Sequence, residues 1–179
     1  EKTENPMNRN LFLTGAPSSG KTTVVRRVIE GLQYPAKGFY TQEIRREGRR
    51  RGFLLKSLGG DEGYLAHEDI ASPLQLRRYG ISLENLERIT LPALEPEPGF
   101  LIILDEIGKM ECLSERFRKA AVRALDADNP VICTITLGGD PFIQGLKKRR
   151  DLELIEVTQD NRYALPALLL GRIREWFEP

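Results

Sequence analysis

Short apolar runs alternate along the chain with stretches in which apolar residues recur at helical spacing. The short runs are typical of strands buried in a parallel sheet, and they cover Asn10–Thr14, Phe100–Gly108, Pro130–Thr136 and Leu152–Thr158. Helical spacing predicts helices over residues 21–32, 82–94, 113–125, 140–150 and 161–177. Because strands and helices alternate, we expect a mostly parallel sheet with helices on both faces.

Polar residues and prolines mark the ends of several predicted helices. Ser82, Ser114 and Asp140 stand where an N-cap side chain would accept a backbone hydrogen bond. Pro92 and Pro166 fall inside helical patterns, so each should interrupt, bend or delay its helix.

The stretch from Lys37 to Asp69 has a different pattern. Its apolar and aromatic residues alternate with polar ones, and glycines break it near Gly48 and at Gly59-Gly60. This pattern predicts a meander of two or three antiparallel strands with turns at those glycines. The predicted fold is therefore a three-layer α/β/α sandwich in which an antiparallel meander extends one edge of the sheet.

Composition narrows the class of protein only a little. The 179 residues are 40% hydrophobic and 30% charged with a net charge of +1, which suits one globular domain over residues 10–179. The polar residues 1–9 are expected to be a disordered lead or foreign to the native chain. No apolar run approaches the ~18 residues of a membrane span. Two distant cysteines, Cys112 and Cys133, indicate reduced thiols in a cytoplasmic protein.

The segment GAPSSGKTT, from Gly15 to Thr23, fits the spacing G-x-x-x-x-G-K-[ST]. Backbone N–H groups of such a loop curl around a phosphate, and the following helix adds the positive end of its dipole. Lys21 should reach the β- and γ-phosphates, and the Thr22 hydroxyl is a hard oxygen ligand suited to Mg²⁺. The loop joins a predicted strand to a predicted helix, which favours a phosphate-binding loop over an accidental glycine-serine turn.

Charged residues at the end of the strand LIILDEIG supply the second half of a site. Asp105 is expected to hold Mg²⁺ with Thr22, although it could merely cap the strand end. Glu106 is expected to orient a water beside the γ-phosphate, with a surface salt bridge as the alternative. Lys109 could neutralise charge on the transferring phosphoryl group or be a solvated lysine.

With these residues in view, the chain resembles the thermophilic nucleoside-triphosphatase family, whose animal members are called cancer-related nucleoside-triphosphatase. The resemblance extends from about Asn10 to about Leu170. Its motifs are GKTT at Gly20, GFYTQEIR at Gly38, RRGF at Arg50, the unbroken DEIGKME at Asp105, DPF at Asp140 and TQDNR at Thr158. The chain departs from the family at Ser18, where glycine is common, and at Gln42, where glutamate is common. Ser18 should be tolerated if its backbone angles are ordinary.

The resemblance implies a monomeric P-loop α/β/α sandwich and slow, Mg²⁺-dependent hydrolysis of ATP, GTP, CTP and UTP to the diphosphate. It also favours Lys109 as a catalytic residue beside Lys21 and Glu106. The residues expected to bind nucleotide are Gly15, Ala16, Pro17, Ser18, Ser19, Gly20, Lys21, Thr22, Thr23, Ile102, Ile103, Leu104, Asp105, Glu106, Ile107, Gly108 and Lys109. Asn161 and Arg162 are the candidates for base contacts, because their counterparts lie near the base in many P-loop folds.

Basic residues cluster in RREGRRR and in KKRR, the latter at Lys147–Arg150. The first cluster could bind a polynucleotide, cover the triphosphate, or be a solvated turn paired with nearby glutamates. The resemblance retains Arg45 and Arg50, and it leaves Glu43 as the carboxylate candidate beside them. The second cluster suits a helix C-terminus, where cations are stabilised.

Three functions fit these observations. The first is a nucleoside-triphosphatase. The second is a kinase acting on a nucleotide or on a polynucleotide end, and the third is a nucleotide-gated interaction protein. The adjacent Asp105 and Glu106 favour hydrolysis over phosphoryl transfer to another molecule. A nucleic-acid partner is therefore left open but is not favoured.

Overall fold

The computed structural model describes residues 9–179 of the chain, so residues 1–8 of the predicted lead lie outside the described residues. The strands, in chain order, are β1 (Asn10–Thr14), β2 (Ala36–Arg46), β3 (Arg49–Ser57), β4 (Glu62–His67), β5 (Gln75–Leu76), β6 (Tyr79–Ile81), β7 (Leu101–Ile107), β8 (Val131–Ile135) and β9 (Leu152–Glu156). The α-helices are α1 (Lys21–Gly31), α2 (Leu83–Leu94), α3 (Glu115–Asp126), α4 (Pro141–Lys147) and α5 (Leu165–Phe177), and a short 3₁₀ helix covers Glu111–Leu113.

All nine strands belong to one sheet, in the order β5-β6-β4-β3-β2-β7-β8-β1-β9. On one side of the sheet, the neighbours β2, β7, β8, β1 and β9 pair in parallel. On the other side, the neighbours β2, β3, β4, β6 and β5 pair antiparallel. This arrangement confirms the predicted sheet with a meander at one edge. It also brings the C-terminal ends of β1, β7 and β8 to the same edge of the sheet.

The meander is longer than the two or three strands predicted. Its turns do lie near Gly48 and at Gly59-Gly60. However, the short strands β5 and β6 add a further hairpin. These strands have two and three residues, which is too few for an alternating pattern to stand out in the sequence.

Each face of the sheet carries its own apolar core, because side chains alternate along every strand. Phe12 of β1 packs with helices α2, α3 and α4 on one face. Leu11 and Leu13 pack with α1 and α5 on the other face. The two cores confirm the three-layer sandwich. No helix within residues 9–179 has the length and apolar character needed to cross a membrane.

The predicted caps are present. The side chains of Ser82, Ser114 and Asp140 accept from the backbone N–H groups of Asn85, Phe117 and Ile143, respectively. The two prolines behave differently from each other.

The interruption expected at Pro92 is wrong, because α2 continues to Leu94 with the proline in its last turn. Pro166 lies in the first turn of α5, so the helix begins at Leu165, four residues after the predicted start at Asn161. This late start agrees with the expected delay.

Candidate functional site

The loop between β1 and α1 is folded back on itself. Gly20 has a φ of 107°, a backbone conformation that favours glycine. At Gly15, a Cβ atom would lie 2.8 Å from the carbonyl oxygen of Val157, so a side chain would clash. Lys21 Nζ donates to the Gly15 oxygen at 2.8 Å, which closes the loop. The loop therefore has the curled path that its glycines predicted.

Ser18 is the exception within this loop. Its φ is 63°, in the left-handed region that L side chains rarely adopt. The expectation that serine is tolerated here depended on ordinary backbone angles, and that condition is not met. A non-glycine residue in this conformation costs on the order of 1 kcal/mol.

Asp105 is a buried carboxylate that accepts three hydrogen bonds. Its Oδ1 accepts from the Thr134 hydroxyl at 2.6 Å and from the Thr22 hydroxyl at 3.3 Å. Its Oδ2 accepts from the Thr41 N–H at 3.4 Å. Burial raises the pKa of Asp105 to about 6, against the lowering effect of the Thr134 hydrogen bond. These contacts place Asp105 directly opposite the start of α1.

Glu106 faces the same loop as Asp105, although neighbours on a regular strand point to opposite faces. Its Oε2 lies 3.9 Å from Lys21 Nζ. Leu104 pairs with Cys133, and Ile107 pairs with Ile135. Between these two pairs the chain advances three residues along β7 but only two along β8. This irregularity falls at the two acidic residues and breaks the alternation. Burial raises the pKa of Glu106, and the charge of Lys21 opposes that rise.

A third carboxylate, Glu111, was missed by the sequence analysis. It is only 4% exposed. A Cβ atom on Gly108 would lie 2.7 Å from Glu106 Oε1 and 2.9 Å from Glu111 Oε2, so both side chains converge on that glycine. Burial and the charge of Glu106 raise the pKa of Glu111 well above its usual range. Glu111 is the last residue of the unbroken DEIGKME motif, so this motif was the sequence signal that could have identified it.

The loop and the carboxylate Glu106 line one cavity of about 610 Å³. We call it the phosphate cavity. Its wall is formed by Gly15, Pro17, Ser18, Ser19, Gly20, Lys21, Thr22, Thr23, Arg26, Thr41, Gln42, Glu43, Arg50, Phe53, Glu106 and Thr136. Most of the predicted loop residues are therefore brought together, and they are joined by residues of β2, β3 and β7 and by Thr136, which directly follows β8.

Several predicted nucleotide-binding residues lie elsewhere. Ile102, Ile103, Leu104 and Ile107 are completely buried in the two cores and do not line the phosphate cavity. They flank Asp105 and Glu106 along β7. Lys109 is exposed and lines an adjoining cavity instead.

The arginine-rich turn between β2 and β3 is largely paired with glutamates. Arg45 and Arg50 both bind Glu43, at 2.9 Å and 3.2 Å. Arg50 also donates to the Tyr79 hydroxyl and lines the phosphate cavity, whereas Arg45 does not line it. Arg49 and Arg51 bind a different carboxylate, that of Glu68. Arg50 is therefore the arginine of this turn that is placed to meet a nucleotide.

Of the two base candidates, only Arg162 reaches the loop. A Cβ atom on Gly20 would lie 3.3 Å from Arg162 Cδ, so the arginine stem packs beside the loop. The Asn161 side chain is occupied by the backbone, since it accepts from the Thr158 N–H and donates to the Glu156 carbonyl. In the second basic cluster, Arg149 pairs with Asp126 and Asp151, as a structural role predicts.

Three threonines of the site were not singled out from the sequence: Thr41, Thr134 and Thr136. Thr134 and Thr136 lie at the end of the buried run VICTIT. The C-terminal ends of parallel strands meet at one edge of a sheet, so their place next to β7 was a usable signal. Thr41 contributes a backbone N–H, for which side-chain patterns give no indication.

A glycine loop between the first strand and the first helix, opposite a buried carboxylate on a neighbouring strand, defines the class of P-loop nucleotide-binding α/β proteins. A family model described as NTPase matches residues 10–170. The chain belongs to this NTPase family, which confirms the resemblance drawn from the motifs.

Relatives and solved structures agree with this assignment. The chain is 41% identical over 157 residues to nucleoside-triphosphatase THEP1 of Thermotoga sp. (strain RQ2), covering 87% of this chain and 90% of the relative. It is 37% identical over 178 residues to the cancer-related nucleoside-triphosphatase homolog of Mus musculus, covering 89% of this chain and 93% of the relative. The crystal structure of THEP1 from Aquifex aeolicus superposes with a TM-score of 0.81 at 30% identity, covering 95% of this chain and 99% of that one. The solution structure of the human cancer-related nucleoside triphosphatase superposes with a TM-score of 0.78 at 32% identity, covering 93% of this chain and 98% of that one.

Proposed function

We propose that this protein hydrolyses nucleoside triphosphates to the diphosphate and inorganic phosphate. The observation that carries the proposal is the convergence of Lys21 and Glu106, 3.9 Å apart, on the wall of the phosphate cavity. The lysine suits a triphosphate, and the carboxylate suits a water molecule. The names of the relatives, which are nucleoside-triphosphatases, support the same activity.

The residues at the floor of the site fit a magnesium ion. Asp105 is buried, yet no lysine, arginine or histidine of residues 9–179 lies within ion-pair distance of it. A buried carboxylate without a cation is costly, and a divalent ion would remove that cost. Asp105 and the Thr22 hydroxyl, which already contact each other, would hold the ion. Bound magnesium would neutralise charge on the phosphates as a Lewis acid.

Different groups of the chain then serve phosphate binding and the chemical step. Backbone N–H groups of the loop and the Lys21 ammonium bind and orient the β- and γ-phosphates. The Ser19 hydroxyl, buried in the loop without a hydrogen-bond partner among residues 9–179, is a further donor for a phosphate oxygen. Glu106 orients the attacking water and accepts its proton. Lys109 is the cation proposed to offset charge that grows on the transferring group.

Selectivity for the base should be shallow. The phosphate cavity is lined mainly by the loop, whose backbone N–H groups and Lys21 suit the phosphates, and by residues of β2 and β3. Arg162, whose stem packs beside the loop, would offer its guanidinium plane to any base. We expect rates for ATP, GTP, CTP and UTP within about tenfold, which is ~1.4 kcal/mol.

Phosphate release from these four triphosphates, measured with excess Mg²⁺ and again with EDTA, tests the proposal. All four should be hydrolysed with Mg²⁺, and EDTA should abolish hydrolysis. A preference above about a hundredfold for one base, or full activity in EDTA, would contradict it. The buried free thiols of Cys112 and Cys133 suit a reducing compartment, so we also propose that the protein works in the cytoplasm.

A further inference from the structure

A second cavity of about 410 Å³ adjoins the phosphate cavity. The two share Pro17, Thr41, Phe53, Glu106 and Thr136 as a common wall. Glu106, the residue proposed to take a proton from the attacking group, thus borders both spaces. A molecule in the second cavity would therefore lie against both Glu106 and Pro17 of the loop.

The remaining wall of this second cavity combines the apolar side chains of Leu65, Leu76, Met110 and Leu137 with the charged residues Arg77, Lys109 and Glu111 and with Gly138. Leu137, at the rim of this cavity, is 50% exposed. A small pocket lined by apolar groups with a few polar ones is typical of sites for organic molecules. Water alone, the other substrate of hydrolysis, needs no such wall.

Charge in the second cavity points to an anion. Arg77 and Lys109 line it, and neither makes an ion pair with a carboxylate of residues 9–179. Its wall also contains two carboxylates, Glu106 and Glu111, of which Glu111 is only 4% exposed. By contrast, the arginines around Arg77 are paired, since Arg50 binds Glu43 and Arg78 binds Glu68. Arg77 also has a φ of 55°, so its backbone is held in a conformation that non-glycine residues rarely adopt. An unpaired guanidinium beside an apolar wall is suited to a carboxylate or phosphate on an organic body.

We propose that the second cavity is an acceptor site for a small organic anion that carries a hydroxyl group on an aromatic or alicyclic body. This inference rests on the proposed function, because it uses the same loop, metal ligands and Glu106. The apolar side chains would hold the ring, and Arg77 would bind the anionic group. The hydroxyl would face Glu106 and the phosphate cavity.

The reaction would be transfer of the γ-phosphoryl group. The acceptor's oxygen forms a bond to the γ-phosphorus while the bond from that phosphorus to the β–γ bridging oxygen breaks. The hydroxyl proton passes to Glu106, and the nucleoside diphosphate leaves with the bridging oxygen. Hydrolysis is then the same reaction with water in the acceptor's place, which accounts for one carboxylate serving both cavities.

Three matched probes test this inference: 4-(hydroxymethyl)benzoate, 4-methylbenzoate and 4-(hydroxymethyl)benzamide. The two carboxylates should bind to the protein with ATP present, with dissociation constants of ~1–10 mM as expected for ligands of this size. The uncharged amide should bind at least about tenfold more weakly, because it gives Arg77 no charge to bind. Saturation-transfer NMR titration measures all three. With MgATP, ³¹P NMR should show a phosphoester on 4-(hydroxymethyl)benzoate only.

Variants at the rim locate the binding. Leu137→Trp should fill the cavity, and Arg77→Gln should remove the charge, so each should weaken the carboxylate probes at least about tenfold. Leu154→Trp, an exposed leucine on β9, and Arg27→Gln, an exposed arginine on α1, are the matched controls and should change neither binding nor hydrolysis. Both rim residues are exposed, so neither substitution disturbs the core.

The outcomes separate this inference from the proposed function. A protein that releases phosphate from ATP but binds no carboxylate probe lacks the acceptor site. Binding that gives only inorganic phosphate, or binding that Leu137→Trp and Arg77→Gln both leave unchanged, also overturns the inference. A protein that releases no phosphate from any triphosphate without a probe instead contradicts the proposed hydrolysis.

Discussion

Replacing Glu106 with glutamine tests whether this residue directs the site towards water. The substitution keeps the shape of the side chain and removes its charge. We expect kcat to fall by ~10²–10⁴, the usual contribution of a residue that takes a proton from the attacking group. In free energy of activation this is about 3–5 kcal/mol.

The effect on nucleotide binding follows from the position of Glu106 beside Lys21. Charges 3.9 Å apart attract by about 4 kcal/mol at an effective dielectric constant of ~20. The Glu106 side chain is 33% exposed, so solvent screening and the entropy cost of ordering the two side chains reduce the net attraction to about 1 kcal/mol. Glu106→Gln releases Lys21 from this competing carboxylate. The variant should therefore bind ATP as tightly as the parent or slightly more tightly.

Single-turnover hydrolysis of MgATP, with binding of a non-hydrolysable ATP analogue measured in parallel, separates the two effects. Glu62→Gln is a suitable control, because Glu62 is an exposed carboxylate on β4 paired only with Lys56. Near-parental turnover by Glu106→Gln would refute the assignment. A loss of analogue affinity as large as the loss of kcat would also refute it, because the residue would then act in binding.

Three further predictions concern the loop, the turn and the metal ligands. Ser18→Gly should raise the free energy of unfolding by about 1 kcal/mol in urea denaturation, because the φ of 63° suits glycine; a decrease would show that serine is unstrained there. Arg50→Ala should lower kcat/KM about tenfold, and more than Arg45→Ala, since only Arg50 lines the phosphate cavity; equal losses would contradict this. Without metal, stability should fall by about 2 kcal/mol as the pH rises from 4 to 6, because the pKa of Asp105 is raised from 3.8 to about 6 and folding then disfavours the charged form. Asp105→Asn should show a shallower fall than the parent, because Glu106 and Glu111, whose pKa values are also raised, still contribute. A parent whose metal-free stability rises over this range would contradict the assignment.

The parts of the site that are local in sequence were predictable. The loop from Gly15 to Thr22 is one continuous segment whose glycines and lysine have a known physical purpose. Asp105 follows a buried apolar run, and parallel pairing brings the ends of such runs to one edge. These predictions needed only spacing and the direction of the strands.

The parts that depend on packing between distant segments were not predictable. The alternation rule places Glu106 away from the loop, and only the irregular pairing of β7 with β8 turns it towards Lys21. Arg77 gains its place from the β5–β6 hairpin, whose strands are too short to have a periodic pattern. The second cavity exists because that hairpin, β3 and the segment after β7 meet in space.

Phosphate release from MgATP by the Lys21→Ala variant is the most direct test of the account. Lys21 closes the loop through Gly15 and lies beside Glu106, so its loss removes the cation at the centre of the phosphate cavity. We predict that turnover falls at least about a hundredfold, the usual cost of removing one charge-stabilising group from a transition state. Lys119→Ala is the control, because Lys119 is an exposed lysine on α3 paired with Glu115, and it should keep the parental rate. Hydrolysis by Lys21→Ala at the parental rate would show that the loop is not the catalytic site.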